Sequence, residues 1–311
     1  MINRAPKFIV LLAAYNGIAH ISSQVNSILN QKDVDLKLFI SVDLSTDQTY
    51  DFVCKLASLN KRVFVLPYGQ RFGGAGPNFY RLIGDVDFLD VDYVSFADQD
   101  DIWHPNKLHR AHQTMLLNNV QGYSSNFTAF WPNGLRRSIK KSYPQCGWDF
   151  IFESAGPGCT YVIGSQLAIA LKQFVFNAGE RLSKVEFHDW LIYAYARFHG
   201  FRWIIDDWSS IEYRQHLNNQ LGVNSGMRPF LLRVNKIFNG YGISQSFLIA
   251  NLIGANSAKI VQRGLLNGRV GYLWLSLQCC DCRRKKIDRI LFFISCLLLA
   301  IIHPLRFTSI K

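Results

Sequence analysis

The chain has 311 residues, 49% hydrophobic and 18% charged, which excludes a disordered polymer and fits a globular protein with a sizeable core. A net charge of +12 points to anionic partners: phosphorylated substrates, an anionic membrane surface or nucleic acid. The 7 cysteines are scattered apart from Cys279, Cys280 and Cys282; they suggest no disulfide framework and favour a reducing cytoplasm, and no fourth ligand is spaced for zinc.

Residues 8–14 read as a fully buried strand of a parallel sheet; the run is too short, and lacks a cleavage site, to be a signal peptide. Tyr15, Asn16 and Gly17 break it. A helix pattern follows, with Ile18, Ile21, Val25, Ile28 and Leu29 on one face. Residues 36–42 form a second apolar strand, ended by Asp43. Ser45, Thr46 and Asp47 supply cap residues for a helix through Phe52, Val53, Leu56 and Leu59. Residues 62–67 make a third strand, 69–76 a glycine-rich loop, and a helix starts at Pro77. Residues 93–97 are the fourth strand, and 105–117 the helix after it. Alternating buried strands and helices predict a doubly wound α/β sheet, in which ligands sit at the carboxyl ends of the strands. The polar residues Tyr15, Asn16, Asp43 and Asp98 to Asp101 fall at those ends. Neither a dinucleotide-binding glycine fingerprint nor a Walker A sequence follows a strand.

Beyond Gln121 the regularity fades. Residues 123–131 predict a strand, and 136–147 a basic, turn-rich stretch. Gly156, Pro157 and Gly158 lead through Cys159 and Thr160 into a strand at 161–163 and a helix at 165–176. Another helix opens at 186–190 and runs through Leu191, Tyr195 and Phe198. Residues 203–206 and 211–214 read as two strands, and the chain turns helical after His216. No internal repeat is present.

The chemistry concentrates where the fourth strand ends in Asp98, Gln99, Asp100 and Asp101. Crowded carboxylates raise the cost of ionising one another, and a divalent cation removes that conflict. Asp98 and Asp100, at alternate positions, present oxygens suited to Mg2+ or Mn2+, with phosphate completing the shell. The alternative is a solvated acidic turn capping the next helix, with Pro105 at its start. Asp101 fits a hydrogen-bonding or capping role better than a metal-binding one.

Five segments, in order, carry a resemblance: Ala14 to Gly17, Ser41 to Thr49, Asp98 to Trp103, His188 to Leu191, and Tyr213 to Asn219. Over about residues 8–222 the chain resembles the family 2 glycosyltransferases of GT-A fold, and within them bacterial rhamnosyltransferases of surface-polysaccharide assembly. The resemblance implies a nucleotide-sugar donor, with Ala14, Tyr15 and Asn16 walling the nucleoside pocket and Asp43 contacting base or ribose. It implies that Asp98 and Asp100 hold a Mn2+ or Mg2+ ion bridging the diphosphate, and that Asp189 is the catalytic base. Arg71, Asn78 and Gln99 fall on the donor side, and His216 where relatives hold the diphosphate or metal. The chain departs from the pattern at one strand end, where Val42 replaces an Asp and Leu44 a Gly.

Several of these positions have a second reading. Asp189 also suits a helix start, whose dipole favours a carboxylate. Trp190 would stack on an acceptor sugar or pack in the core. Arg214 and His216 project from one strand face and suit phosphate, though Arg214 also suits a structural carboxylate. Gly158 and Thr160 would let the backbone approach donor sugar or acceptor. Cys159 has no base beside it in sequence and is not read as a nucleophile.

The expected organisation is a catalytic domain at 1–222 and a helical C-terminal region at 223–311. Residues 290–302 carry no formal charge and are too few for an ordinary membrane span. As an in-plane helix they would place Arg283 to Lys286 and Arg289 against anionic head groups, or else the helix docks on the protein. The resulting expectation is an inverting transferase on the inner face of the cell membrane, moving rhamnose from dTDP-rhamnose to a lipid-linked oligosaccharide. A UDP-hexose donor, or a non-catalytic nucleotide-sugar or glycan binder, is the alternative. Nucleic acid is not expected as a partner, because no recognisable binding motif accompanies the basic charge. The oligomeric state is open.

Overall fold

The computed structural model describes residues 4–215 and 240–302, which form two compact units. The first holds residues 4–142 and 155–215, the second 143–154 and 240–302. The stretch 143–154, which nothing in its sequence separates from the catalytic region, therefore belongs with the C-terminal helices.

The first unit is built on one mixed sheet, nine-stranded among the described residues. Its strands are β1 (Lys7–Ala14), β2 (Asp35–Val42), β3 (Val63–Val65), β4 (Tyr93–Ala97), β5 (Ile102–Trp103), β6 (Gly122–Phe130), β7 (Arg136–Ile139), β8 (Val162–Gly164) and β9 (Trp203–Arg214). They lie in the order β3-β2-β1-β4-β8-β6-β9-β5, and β7 pairs with β6. The first four are mutually parallel, with β1 between β2 and β4. β1 is buried from Phe8 to Ala14, as its unbroken apolar run requires. Pairing of Ala14 with Val42 and of Leu12 with Ala97 brings three carboxyl ends to one edge.

Helices α1 (Ile21–Leu29), α2 (Thr49–Leu59), α3 (Ala75–Asp85) and α4 (Lys107–Asn118) connect these strands; a short α5 (Asp149–Phe152) lies in the second unit. α6 (Ser165–Ala178) and α7 (His188–Phe198) complete the first unit. Ile21, Val25 and Ile28 form the buried stripe of α1, but Ile18 lies in the preceding turn and is exposed. Asp47 accepts the Thr49 amide at 3.0 Å just ahead of α2, whose N-cap position is Gln48.

Two departures from the expected elements have local causes. Residues 203–206 and 211–214 are one continuous strand, β9, whose register with β6 shifts near Asn126. The Asn126 amide fills the irregularity by donating to the Asp207 carbonyl at 2.8 Å. Arg136–Ile139, expected as a turn-rich stretch, is strand β7 pairing antiparallel with β6. Its arginines are exposed, as edge strands tolerate.

The second unit packs α8 (Tyr241–Leu252), α9 (Gly268–Leu277), α10 (Cys279–Cys282) and α11 (Lys286–Ile302) with residues 143–154. Gly271 allows a close approach: a Cβ there would clash with the Gly264 carbonyl oxygen. Arg284, buried, pairs with Asp149 at 3.3 Å and Glu153 at 3.5 Å and fastens the inserted stretch.

Candidate active site

Most polar residues at the carboxyl ends of β1 and β2 build the site by gripping main chain. Gln99 donates to the Tyr15 carbonyl at 2.9 Å and accepts the Tyr15 amide at 2.8 Å. Asn78 donates to the Ser41 carbonyl at 3.0 Å and the Ala14 carbonyl at 3.5 Å, tying the two strand ends together. Asp43 is buried and accepts three amides, from Leu44 at 2.7 Å, Phe72 at 2.8 Å and Gly73 at 3.0 Å. Its carboxylate thus pins the glycine-rich loop to the end of β2. Asn16, held at φ 46°, accepts the Thr46 amide at 2.8 Å and donates its own amide to Ser45 Oγ at 3.0 Å. Asn tolerates that left-handed conformation better than most residues. Tyr15 and Arg71 remain exposed along this lip, and Ala14 is buried behind it.

The acidic stretch after β4 is the electrostatic centre. Asp98 and Asp100 are half-buried; Asp101 is fully buried. Burial, then the Asp100 charge, pushes the Asp98 carboxyl up to about 7. Burial followed by the charges of Asp100 and Asp98 raises Asp101 as well. Asp101 Oδ1 accepts the Arg214 amide at 3.2 Å, while among the described residues Oδ2 has no hydrogen-bond partner. Ligand atoms of Asp98, Asp101 and Cys159 lie within 4.8 Å of one another. The Cys159 thiol is raised by burial and by the neighbouring Asp101 and Asp98, so it stays protonated and is no nucleophile. Arg214 clasps the same turn, its Nε donating to the Asp100 carbonyl at 2.9 Å. Lys107 lies beneath, fully buried, 3.1 Å from the Trp103 ring centroid and donating to Ser95 Oγ at 3.2 Å.

Asp189 stands in the first turn of α7, buried, and accepts the Trp190 amide at 2.7 Å. Burial pushes its carboxyl up to about 6; the Trp190 amide, the Lys141 charge and the Gly158 amide hold it back. Its charge bears on Asp98. Gly158 is packed against this helix start: a Cβ there would lie 2.5 Å from His188 Nε2 and 3.2 Å from Asp189 Cβ. His188 stacks on Phe79 at 3.9 Å, and burial lowers its imidazole to about 3, so it is neutral.

The structure therefore gathers Asp98, Asp100, Asp101, Asp189 and Gly158, with Tyr15 and Asn16 on the adjoining lip. Trp190 is half-buried next to Asp189. Thr160 is buried, and its hydroxyl donates to the Pro157 carbonyl at 2.8 Å, shaping the turn that carries Gly158. Gln99, Asn78 and Arg214, expected on the donor side, each donate to a main-chain carbonyl, of Tyr15, Ser41 and Asp100 respectively. His216 lies outside the described residues. Nothing in the sequence assigns a role to Lys107, which reads as an ordinary helix residue, or to His188 within its segment. Lys141 stands out there only as part of a basic cluster.

The profile described as Glycosyl transferase family 2 matches residues 9–163. The chain is 41% identical over 281 residues to the dTDP-rhamnosyl transferase RfbG of Shigella flexneri, covering 90% of this chain and 96% of that one. It is 24% identical over 183 residues to the UDP-Glc:alpha-D-GlcNAc-diphosphoundecaprenol beta-1,3-glucosyltransferase WfgD of Escherichia coli, covering 58% of this chain and 67% of that one. The backbone is similar to the crystal structure of S. aureus TarS 1–349 in complex with UDP, at a TM-score of 0.57 and 16% identity, covering 93% of this chain and 90% of that one.

Proposed function

The chain belongs to glycosyl transferase family 2, and from that premise we propose that it moves rhamnose, with inversion, from a dTDP-linked donor to a lipid-linked surface-polysaccharide precursor. It is a glycosyltransferase of GT-A fold. The similarity to a dTDP-rhamnosyl transferase over nearly the whole chain supports the donor, and the name of the E. coli relative supports the acceptor class. The observation that carries the reading is the meeting of two kinds of carboxylate. A crowded set at the end of β4 faces one buried carboxylate at the start of α7.

Asp98 and Asp100 would hold a Mg2+ or Mn2+ ion, whose chemistry is to neutralise charge developing on a departing diphosphate. The residues fit a hard cation: half-buried carboxylates that repel one another, beside Asp101 with its unpartnered buried oxygen. Asp189 is the base in this reading. A carboxyl brought up to about 6 is ionised at neutral pH yet accepts a proton more readily than an exposed one. It takes the proton of the acceptor hydroxyl as that oxygen attacks the anomeric carbon from the face opposite the diphosphate. One displacement with one base inverts the centre. Gly158 leaves space beside Asp189 where a side chain would intrude.

The test is calorimetric titration with dTDP, UDP and GDP, with and without Mn2+, followed by transfer assays on Asp189→Asn. The expected result is Mn2+-dependent binding of dTDP, unchanged in the variant. Transfer should fall by about 10²–10⁴-fold. Preference for UDP would keep the mechanism and discard rhamnose. Near-normal turnover by Asp189→Asn would remove it as the base.

A further inference from the structure

The second unit buries an apolar core yet also exposes Val270, Leu273, Leu277, Ile287, Ile290 and Ile301. A helix of a soluble protein turns its apolar stripe inward and its charges outward. α11 is apolar on both sides: it buries Cys296, Leu299 and Ala300. Its outward face carries Ile287, Ile290, Leu291, Ile294 and Ile301, Ile290 being 56% and Ile301 72% exposed. Their spacing places them on one side over four turns. α9 repeats the pattern. Gly268, Gly271, Tyr272 and Leu275 are buried, while Val270, Leu273 and Leu277 stand out at intervals of three and four, Leu277 73% exposed. Scattered exposed leucines need no explanation, but two helices of one unit that each expose a row of apolar residues do.

Charge narrows the choice of what covers them. Residues 240–302 hold 8 Lys and Arg against 2 Asp. A second copy would bring like charge to like charge, whereas an anionic bilayer brings the complement. The arginines expected to meet head groups are committed internally. Arg284 pairs with Asp149 and Glu153, Arg283 donates to the Phe152 carbonyl, and Arg289 donates to the Arg283 carbonyl. Lys285 and Lys286, where α11 begins, face solvent, as do Lys259 and Arg263. No helix among the described residues is long and apolar enough to cross a membrane, so such a face would lie along the surface.

We propose that the second unit is an interfacial binding module that lays the outer faces of α9 and α11 onto an anionic lipid surface, with Lys285 and Lys286 at the head groups. The inference does not use the donor, the metal or Asp189, so it stands or falls apart from the proposed reaction. The test is flotation of the full-length protein with vesicles of phosphatidylcholine, with and without phosphatidylglycerol. Binding is expected to the anionic vesicles and to weaken by about tenfold in Ile290→Glu/Ile294→Glu. Replacing Lys285 and Lys286 with alanine should weaken it by roughly fivefold per lysine. These positions are exposed, so the thermal melt should not move, which separates lost binding from lost fold. Absence of vesicle binding, or equal binding by wild type and the glutamate variant, overturns the proposal. So does a sedimentation-equilibrium dimer that Ile290→Glu splits, since that assigns the face to a second copy.

Discussion

Asp189 is a buried carboxylate whose proton affinity its neighbours set. Burial raises its carboxyl to about 6, and the Trp190 amide and Lys141 are among the groups that pull it down. As the proposed base, Asp189 works only when ionised, so turnover should fall as pH drops through about 6. The Lys141 charge favours the ionised form, and removing it must raise the carboxyl further. Lys141→Gln is therefore expected to move the acid limb of the kcat–pH profile to higher pH while leaving the alkaline plateau nearly unchanged. A limb that stays in place would mean that the ammonium does not act on Asp189. Lys141 could not be assigned this part from its sequence neighbours. It is 48 positions from Asp189, and its amide is held by Asn126 Oδ1 at 2.6 Å, a contact set by the irregular pairing of β6 and β9.

At the scale of elements, the site depends on how closely the turn after Pro157 approaches the start of α7. Gly158 has an ordinary φ, so its need is space: a Cβ would meet His188 Nε2 at 2.5 Å. His188 is wedged on Phe79 and has little room to retreat. Gly158→Ala should displace the helix start that carries Asp189. A shift near 1 Å at a reacting group costs about a hundredfold in turnover, and nucleotide affinity should survive because the β1 and β2 ends are untouched. Equal losses in nucleotide binding and turnover would show that the turn supports the donor lip instead. The parallel strands were legible because unbroken apolar runs such as 8–14 can only be buried on both faces. The carboxyl-end cluster followed from where those runs stop. The work of each polar residue there was not legible. Asp43, Asn78 and Gln99 have the chemistry to bind a ligand or main chain equally well, and their main-chain contacts follow from the positions of Phe72, Gly73, Ser41 and Tyr15, which lie far from them in sequence. β7 and the continuity of β9 were hidden for a related reason. Pairing with β6 stabilises segments whose own composition is that of turns.

For the molecule as a whole, the proposed cation site predicts a stability that depends jointly on pH and cation. In the folded chain without a cation, Asp98 keeps its proton up to about 7 and Asp189 up to about 6, whereas both lose it near 3.8 when unfolded. Between these limits the folded state binds more protons than the unfolded one, so these two groups make stability fall as pH rises. His188 acts in the opposite sense. Its imidazole, lowered to about 3, takes a proton only on unfolding, so its contribution grows as pH rises towards the ordinary 6.5. The raw pH dependence of the melting temperature thus mixes the two. The difference made by a cation does not, because His188 contributes equally with and without it. A divalent ion at Asp98 and Asp100 must displace the proton from Asp98, which costs more at low pH and little once that group is ionised. The rise in melting temperature on adding Mn2+ should therefore be small at about pH 5 and markedly larger at about pH 8. Asp98→Asn should abolish the pH dependence of that rise. Calorimetric scans at the two pH values decide it: an equal gain at both would place the cation away from these carboxylates, and persistence of the effect in Asp98→Asn would remove Asp98 as the residue that couples proton to metal.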